Sequence, residues 1–292
     1  MKKIATYSIQ QHQKVFNLSS NKKDFFYVEL GKGSLFNPEP RRSETYALCF
    51  LKQGEILLQT GLQKQTVKAP SLIALGPTVV RSMHETENQP YMDIIFFTGN
   101  YLLEKRSNVF YLMEFDFFED NDLHTSHLNP IQAKKTARIF NMIKEAVEEH
   151  HIHEPEMVRS SIFALIHEMD SFVKNYPAPQ SHISEKVSPI LGAFKRLLNK
   201  EYQQQRFVSF YADKLNVTPK HLSELLKKET GKTAGEWIDE VIVLEARVLL
   251  QNKSLSVSQV SEYLNFSDQS VFGKFFKTHT SLTPLQYRKS LL

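Results

Sequence analysis

The feature that most narrows the fold of this chain is an internal repeat near its C-terminus. The stretch LNVTPKHLSELLKKETGKTAGEW, Leu215 to Trp237, lies over LNFSDQSVFGKFFKTHTSLTPLQY, Leu264 to Tyr287. Leu215 pairs with Leu264, Asn216 with Asn265 and Thr218 with Ser267, all 49 apart. After one inserted residue in the second copy, Leu222 pairs with Phe272, Lys227 with Lys277, Thr233 with Thr283 and Trp237 with Tyr287, all 50 apart. Each copy reads as a short amphipathic helix, a tight turn and a second helix. In the second copy, Ser256 with Gln259 and Thr283 with Gln286 fit the capping box, and Pro284 stands at a first helical position where its missing N–H is not needed. Only Asn265, Phe266 and Ser267 separate the first two helices of that copy. Such a connection makes a helix-turn-helix, whose second member can lie in the major groove of DNA. Phe207 occupies the position equivalent to Ser256, so the first copy lacks the hydroxyl cap, at a cost of about 1 kcal/mol.

The run NFSDQSVFGKFFK followed by TPLQYR resembles the C-terminal signature of the AraC-type transcription regulators. The matching residues are Asn265, Phe266, Ser267, Ser270, Phe272, Phe275, Phe276, Lys277, Thr283, Pro284, Tyr287 and Arg288. The chain departs from the family at Asn265 and Ser281, where Gly is usual. Asn tolerates a left-handed turn, whereas Ser281 makes the second turn harder to form. The resemblance implies a sequence-specific DNA-binding regulator with a cupin-like barrel for a small effector ahead of the DNA-binding part.

The first recognition helix is expected from Pro219 to about Thr230, with Leu222, Leu225 and Leu226 inward. The second is expected from Asp268 to about His279, with Val271, Phe272, Phe275 and Phe276 inward. The outward residues match the base-reading positions of the family: Lys220, Ser223 and Glu224 on the first helix, and Gln269, Ser270, Gly273 and Lys274 on the second. Gln269 suits adenine, Lys274 guanine, and Glu224 cytosine or a plain solvated surface. Thr218 and Ser267 are expected to cap the two helices and offer free amides to phosphates. Lys227, Lys228 and Lys277 add charge that fixes position without reading sequence. Between the copies, AGEWIDEVIVLEARVLLQN is apolar over a wide arc and is expected to be a buried strut of about 27 Å, against about 34 Å between successive major grooves.

Charge supports this division. From residue 188 onward there are 15 Lys and Arg against 10 Asp and Glu, so the net excess of +4 belongs to this segment. The competing reading is a solvated surface with chance asymmetry. A single cysteine, Cys49, rules out an internal disulfide and a cysteine zinc cluster and fits a reducing compartment. The apolar run Ile94 to Phe97 is too short to cross a bilayer, and the first residues lack the apolar core of a signal peptide, so a cytoplasmic protein is expected.

From Asp24 to about Phe97 the sequence runs FFYVEL, TYALCFL, EILLQT, SLIALG and MDIIFF, punctuated at Gly54, Gly61 and Gly76-Pro77; short strands so spaced suggest an antiparallel sandwich or barrel. In Tyr46 to Leu51, Tyr46, Leu48 and Phe50 share one face, and these three are taken as effector-facing. His84, Glu85 and Glu87 fall in a polar stretch, MHETENQP, that reads as a loop rather than a metal site. From Asn129-Pro130 to Tyr176 the pattern is helical. Phe140 and Val147, with Val158, Ile162, Leu165, Met169 and Phe172, form stripes that either pack the core or serve as a dimer seam. The dimer reading, on Phe140, Val147, Ile162, Leu165 and Met169, is what the family resemblance implies. His150, His151 and His153 read as a polar helix end and not as metal ligands.

The expected fold class is therefore α+β. Residues 1–176 form an effector-binding and dimerisation domain, a cupin-like antiparallel β-barrel (strands about 24–98) with a helical hairpin (about 130–174). Residues 177–187 are a linker, and 188–292 an all-α domain with two helix-turn-helix motifs. The expected partners are double-stranded DNA, a second copy of the chain, RNA polymerase and a small-molecule effector, with no membrane, metal or cofactor and no catalysis. The alternatives are a cupin-type enzyme with an accessory DNA-binding domain, a DNA-repair methyltransferase, and a regulator without a small-molecule effector. A cupin enzyme needs converging metal ligands and a methyltransferase needs an activated cysteine.

Overall fold

A computed structural model describes residues 5–18, 22–31, 39–77, 79–103, 111–119, 123–175 and 189–290. The chain divides into two compact units, Met1–Leu102 with Phe115–Ser184 and Leu103–Glu114 with Glu185–Leu292. The linker read at 177–187 lies outside the described residues.

Among the described residues, the first unit is built on ten strands: β1 (Ala5–Tyr7), β2 (Phe25–Leu30), β3 (Arg41–Ser43), β4 (Tyr46–Gln53), β5 (Glu55–Thr60), β6 (Gln63–Lys68), β7 (Ser71–Leu75), β8 (Arg81–Glu85), β9 (Tyr91–Phe97) and β10 (Thr125–His127). They form two five-stranded sheets, ordered β1-β3-β8-β5-β6 and β10-β7-β4-β9-β2. Among the described strands only β1 and β3 pair in parallel. The antiparallel sheet domain expected from sequence is present, but among the described residues the two sheets are not hydrogen-bonded into a closed barrel. Two of the four edges are strands of three residues, β1 and β10, too short to pair onward. Gly61 (φ 58°) starts the two-residue turn between β5 and β6, a geometry that a side chain disfavours. The expected loop at MHETENQP begins later than the sequence suggests, because His84 and Glu85 continue β8, opposite Leu57 and Ile56.

Both faces of β4 are apolar, and the structure separates their roles. Ala47, Cys49 and Leu51 join Ile56, Leu58, Val67 and Met83 of the other sheet in one core between the sheets. The opposite face packs beneath helices. Phe50 stacks on Phe140 at 5.9 Å between ring centroids, and Tyr46 lies 5.5 Å from Phe97 and 4.9 Å from Phe118. Tyr46, Leu48 and Phe50 therefore do not face the space between the sheets, which corrects the effector-facing set.

Among the described residues, four α-helices accompany the sheets: α1 (Ile9–Val15), α2 (Gly99–Leu103), α3 (Pro130–Glu148) and α4 (Glu154–Asn175). Asn129 and Gln132 cap α3 reciprocally, with Pro130 at its start. Phe140, Ile162, Leu165 and Met169 are fully buried within the single chain, and Val147 is half-buried. Side chains already withdrawn from water have no apolar area left for a second chain, so Phe140, Ile162, Leu165 and Met169 pack the core of this chain and do not form a dimer seam. A polar tie holds α3 to the sheet below: Lys144 Nζ reaches Glu29 at 2.8 Å, Tyr91 donates to Glu29 at 3.0 Å, and Lys52 pairs with the buried Asp93 at 2.7 Å. Burial pushes the Cys49 thiol up to about 12, so it stays protonated and is no activated nucleophile.

His12 of α1 is buried, its Nε2 2.8 Å from Ser43 Oγ. Burial, then the charges of Arg81 and Arg41, lower its pKa from 6.5 to about 3. The unfolded chain takes up a proton near pH 6.5 that the folded chain refuses until about pH 3. His12 therefore stabilises the first unit above pH 6.5, and this is lost as pH falls toward 3, by about 1.4 kcal/mol per pH unit. Hydrogen exchange of the β4 amides should show that slope between pH 6 and pH 4 and a flatter one in His12→Gln; identical slopes would remove His12 from the account.

Candidate nucleic-acid interface

Among the described residues, the second unit contains seven α-helices: α5 (Pro189–Glu201), α6 (Val208–Lys214), α7 (Pro219–Thr230), α8 (Ala234–Gln251), α9 (Val257–Tyr263), α10 (Gln269–Thr280) and α11 (Pro284–Ser290). The helix pairs α6–α7 and α9–α10 are the two copies of the repeat. Each turns through a left-handed Asn, Asn216 (φ 54°) and Asn265 (φ 55°), a conformation this side chain tolerates. Each recognition helix then ends on a left-handed residue, Gly231 (φ 80°) after α7 and Ser281 (φ 63°) after α10. One core serves both copies, with Leu222 and Leu226 of α7, Phe272 and Phe276 of α10 and the apolar arc of α8 in a single cluster. Its 18 residues give α8 a length of about 27 Å.

The structure locates the inserted residue of the second copy. Thr218 caps α7, accepting from the His221 amide at 3.1 Å. The equivalent cap on α10 is Asp268, which accepts from the Ser270 and Val271 amides at 2.7 and 2.9 Å. The extra residue thus sits in the turn, between Asn265 and Asp268. The sequence reading expected Ser267 to cap this helix; instead Asp268 does, and Ser267 lies exposed beside it. A carboxylate bonded to two free amides outcompetes a neighbouring hydroxyl for the helix N-terminus. Those hydrogen bonds hold the Asp268 carboxyl below its ordinary range, and they occupy the amides that a phosphate would use.

With the register reset to 50 across both recognition helices, their outward faces superpose. Lys220 matches Ser270, His221 matches Val271, Glu224 matches Lys274 and Lys227 matches Lys277. Lys220, Glu224, Lys227 and Lys228 are exposed on α7, as are Gln269, Ser270, Lys274 and Lys277 on α10. Ser223 and Gly273 are half-buried at the flank of this face. A side chain at Gly273 would meet nothing within 4 Å, so the gap is open to solvent. Lys220 and Glu224 form a loose exposed pair at 3.9 Å that contributes little to stability.

Two outward residues escaped the sequence reading. Val271, expected inward, is 43% exposed, and His221 is exposed at the matching place on α7. Val271 lies three residues before Lys274, on the same helical face, and that spacing is the signal for it. The turn before α6 also clasps the second copy. Arg206 donates to the Asn265 carbonyl at 2.8 Å and lies 4.0 Å over the Phe266 ring, while Asn265 Nδ2 donates to the Gln204 carbonyl at 3.1 Å. Phe207, 71% exposed, precedes α6 with no side-chain cap.

Residues 211–290 match a protein-family model described as a helix-turn-helix domain. Over 116 residues the chain is 29% identical to the Msm operon regulatory protein of Streptococcus mutans, covering 39% of this chain and 42% of that protein. Over 79 residues it is 33% identical to the probable transcription factor PqrA of Proteus vulgaris, covering 27% of this chain and 65% of that protein. The matched stretch therefore spans half or less of the Msm regulator and under two thirds of PqrA. Among solved structures, ToxT from Vibrio cholerae aligns over 91% of this chain and 98% of its own at 13% identity, with a TM-score of 0.37.

A left-handed serine is strained by its Cβ, and glycine is not. Ser281→Gly should stabilise the second unit by about 0.5–1 kcal/mol. The check is the urea midpoint followed by Trp237 fluorescence, since this tryptophan is the only one in the chain. Gly231→Ser should shift that midpoint the other way.

Proposed function

We propose that this chain, whose residues 211–290 belong to the AraC-type helix-turn-helix regulators, is a sequence-specific transcription regulator that sets α7 and α10 into successive major grooves. The observation that carries this is the duplication itself. Two recognition helices whose exposed faces correspond position for position share one core on α8, a helix of about the length needed to join adjacent grooves on one side of DNA. Lys220, Ser223 and Glu224 on α7 and Gln269, Ser270, Gly273 and Lys274 on α10 are the proposed base-reading positions. His221 and Val271 join them, Val271 through the thymine methyl group. Thr218, Lys227, Lys228, Ser267 and Lys277 are the proposed phosphate contacts. At α10 the contact runs through Ser267 and Lys277, because Asp268 holds the helix amides.

Control by a small molecule in the first unit is the second part of the proposal. An effector acts here only by preferring one arrangement of the chain over another. It would bind between the two sheets, where Ala47 and Cys49 of β4 point. A homodimer, a contact with RNA polymerase and a cytoplasmic location belong to the same proposal. A dimer would form on a surface other than the buried stripe of α3 and α4. Among the described residues, no helix is long and apolar enough to cross a membrane.

Titration of the full chain against its own promoter DNA at several salt concentrations tests the reading. Binding should weaken steeply with salt and exceed binding to random DNA. Lys274→Ala should cost about 1–3 kcal/mol at one base step, whereas Lys228→Ala should weaken all sequences alike and reduce the salt slope by about 1. Equal, uniform losses in both variants would mean that the groove-facing side of α10 is wrongly assigned.

A further inference from the structure

The two copies of the repeat are joined by more than the core on α8. The segment before α6 crosses from the first copy to the second. Arg206 Nη2 donates to the Asn265 carbonyl at 2.8 Å, Asn265 Nδ2 donates back to the Gln204 carbonyl at 3.1 Å, and Gln203 Nε2 donates to Tyr263 Oη at 3.0 Å. The half-buried Arg206 guanidinium lies 4.0 Å over the Phe266 ring. From there a column of rings runs along α10, Phe266 to Phe275 at 5.2 Å between centroids and Phe275 to His279 at 4.6 Å. His279 Nε2 reaches Asp239 of α8 at 3.7 Å, and the same carboxylate acts on the Arg206 charge. The turn before α10 and the last turn of that helix are thus each tied to a residue outside the second helix-turn-helix.

The duplication does not call for this arrangement. At the spacing of 49, Leu255 stands where Arg206 does, and Phe266 stands where Val217 does. Leu255 packs against the shared core, whereas Arg206 reaches across to the other copy. Apolar packing on α8 is non-directional and tolerates some rotation of a helix upon it, but a charge-assisted hydrogen bond fixes a direction. A guanidinium stacked on a ring adds a second constraint, since the contact is lost when the ring turns away. We propose that Arg206 is a positioning residue that holds the orientation of α10 relative to α7, and thereby sets the separation of the two groove segments that one chain accepts. The second half of that statement rests on the proposed DNA binding, and the first half does not.

Two measurements on the full chain test it. Without DNA, spin labels at Lys227→Cys and Lys277→Cys in a Cys49→Ala background report the distance between α7 and α10 by pulsed electron resonance. With Arg206 in place the distance distribution should be narrow, and Arg206→Ala should broaden it. With DNA, a duplex bearing the promoter site is compared with one carrying an extra base pair between the two protected major-groove segments, which moves one segment by about 3.4 Å and about 35°. The natural chain should bind the lengthened duplex at least about tenfold more weakly, and Arg206→Ala no more than about threefold more weakly. Arg206→Lys, which keeps a cation and a donor, should restore most of that discrimination. A residue that only stabilised the fold would lower binding to both duplexes by one factor and leave their ratio unmoved. If Arg206→Ala does not fold, Asn265→Gly takes its place, because it keeps the left-handed turn and loses the bond to Gln204. The proposal is overturned if the variant leaves the distance distribution as narrow as before, or leaves the ratio between the duplexes unchanged. Absence of specific DNA binding by the natural chain ends the proposed function, and the spin labels still decide whether Arg206 positions α10.

Discussion

The second unit depends on one helix that both copies of the repeat must bury. Ala234, Trp237, Ile238, Val241, Ile242, Ala246 and Leu250 of α8 are almost wholly withdrawn from water, in contact with residues of α6, α7, α9 and α10. The large apolar side chains in that set each contribute about 1.5–3 kcal/mol by leaving water, more than any cap or surface ion pair nearby. Polar groups align the helices on this core. Trp237 Nε1 donates to Thr230 Oγ1 at 2.9 Å, and that hydroxyl donates back to the Leu226 carbonyl at 2.8 Å, fixing the end of α7 on the start of α8. The second copy repeats the device with Thr280 donating to the Phe276 carbonyl at 2.7 Å, and Arg288 of α11 binds the Leu250 carbonyl at 3.1 Å, near the end of α8.

The two copies are not equal, and their differences bear on function. The first has a hydroxyl cap on its recognition helix, a glycine stop and a more polar outward face. The second has an aspartate cap, a strained serine stop, an exposed valine and a glycine where the first has Ser223. In the proposed DNA complex, a carboxylate at the N-terminus of α10 would repel an approaching phosphate, a charge that Lys277 would offset. Unequal faces suit a site whose two half-sequences differ, read by one chain.

In the first unit the legible part was the texture of the strands and the position of the helical hairpin. FFYVEL, TYALCFL, EILLQT, SLIALG and MDIIFF correspond to β2, β4, β5, β7 and β9. Closure of the sheets into a barrel was not legible, because it depends on hydrogen bonding between strands far apart in sequence. The role of the stripe on α4 was not legible either. A spacing of four and three serves a partner helix in the same chain as well as one in another, and burial against α3 and the sheet decides between them.

By itself the sequence determined the duplication, the left-handed turn at Asn265, the caps at Ser256 and Thr218, and the inward faces of α7 and most of α10. These follow from hydrogen bonds three residues apart and from helical periodicity, which are local. Tertiary structure decided what local signals leave degenerate. A strand period of two defines two faces of β4 without saying which one fronts the cavity, and packing put Ala47 and Cys49 there and sent Tyr46, Leu48 and Phe50 under the helices. Competition between adjacent oxygen atoms chose Asp268 over Ser267. Only the folding of β3, β8 and α1 onto one core brought Arg41, Arg81 and His12 together, since residues so far apart in the chain carry no shared local pattern.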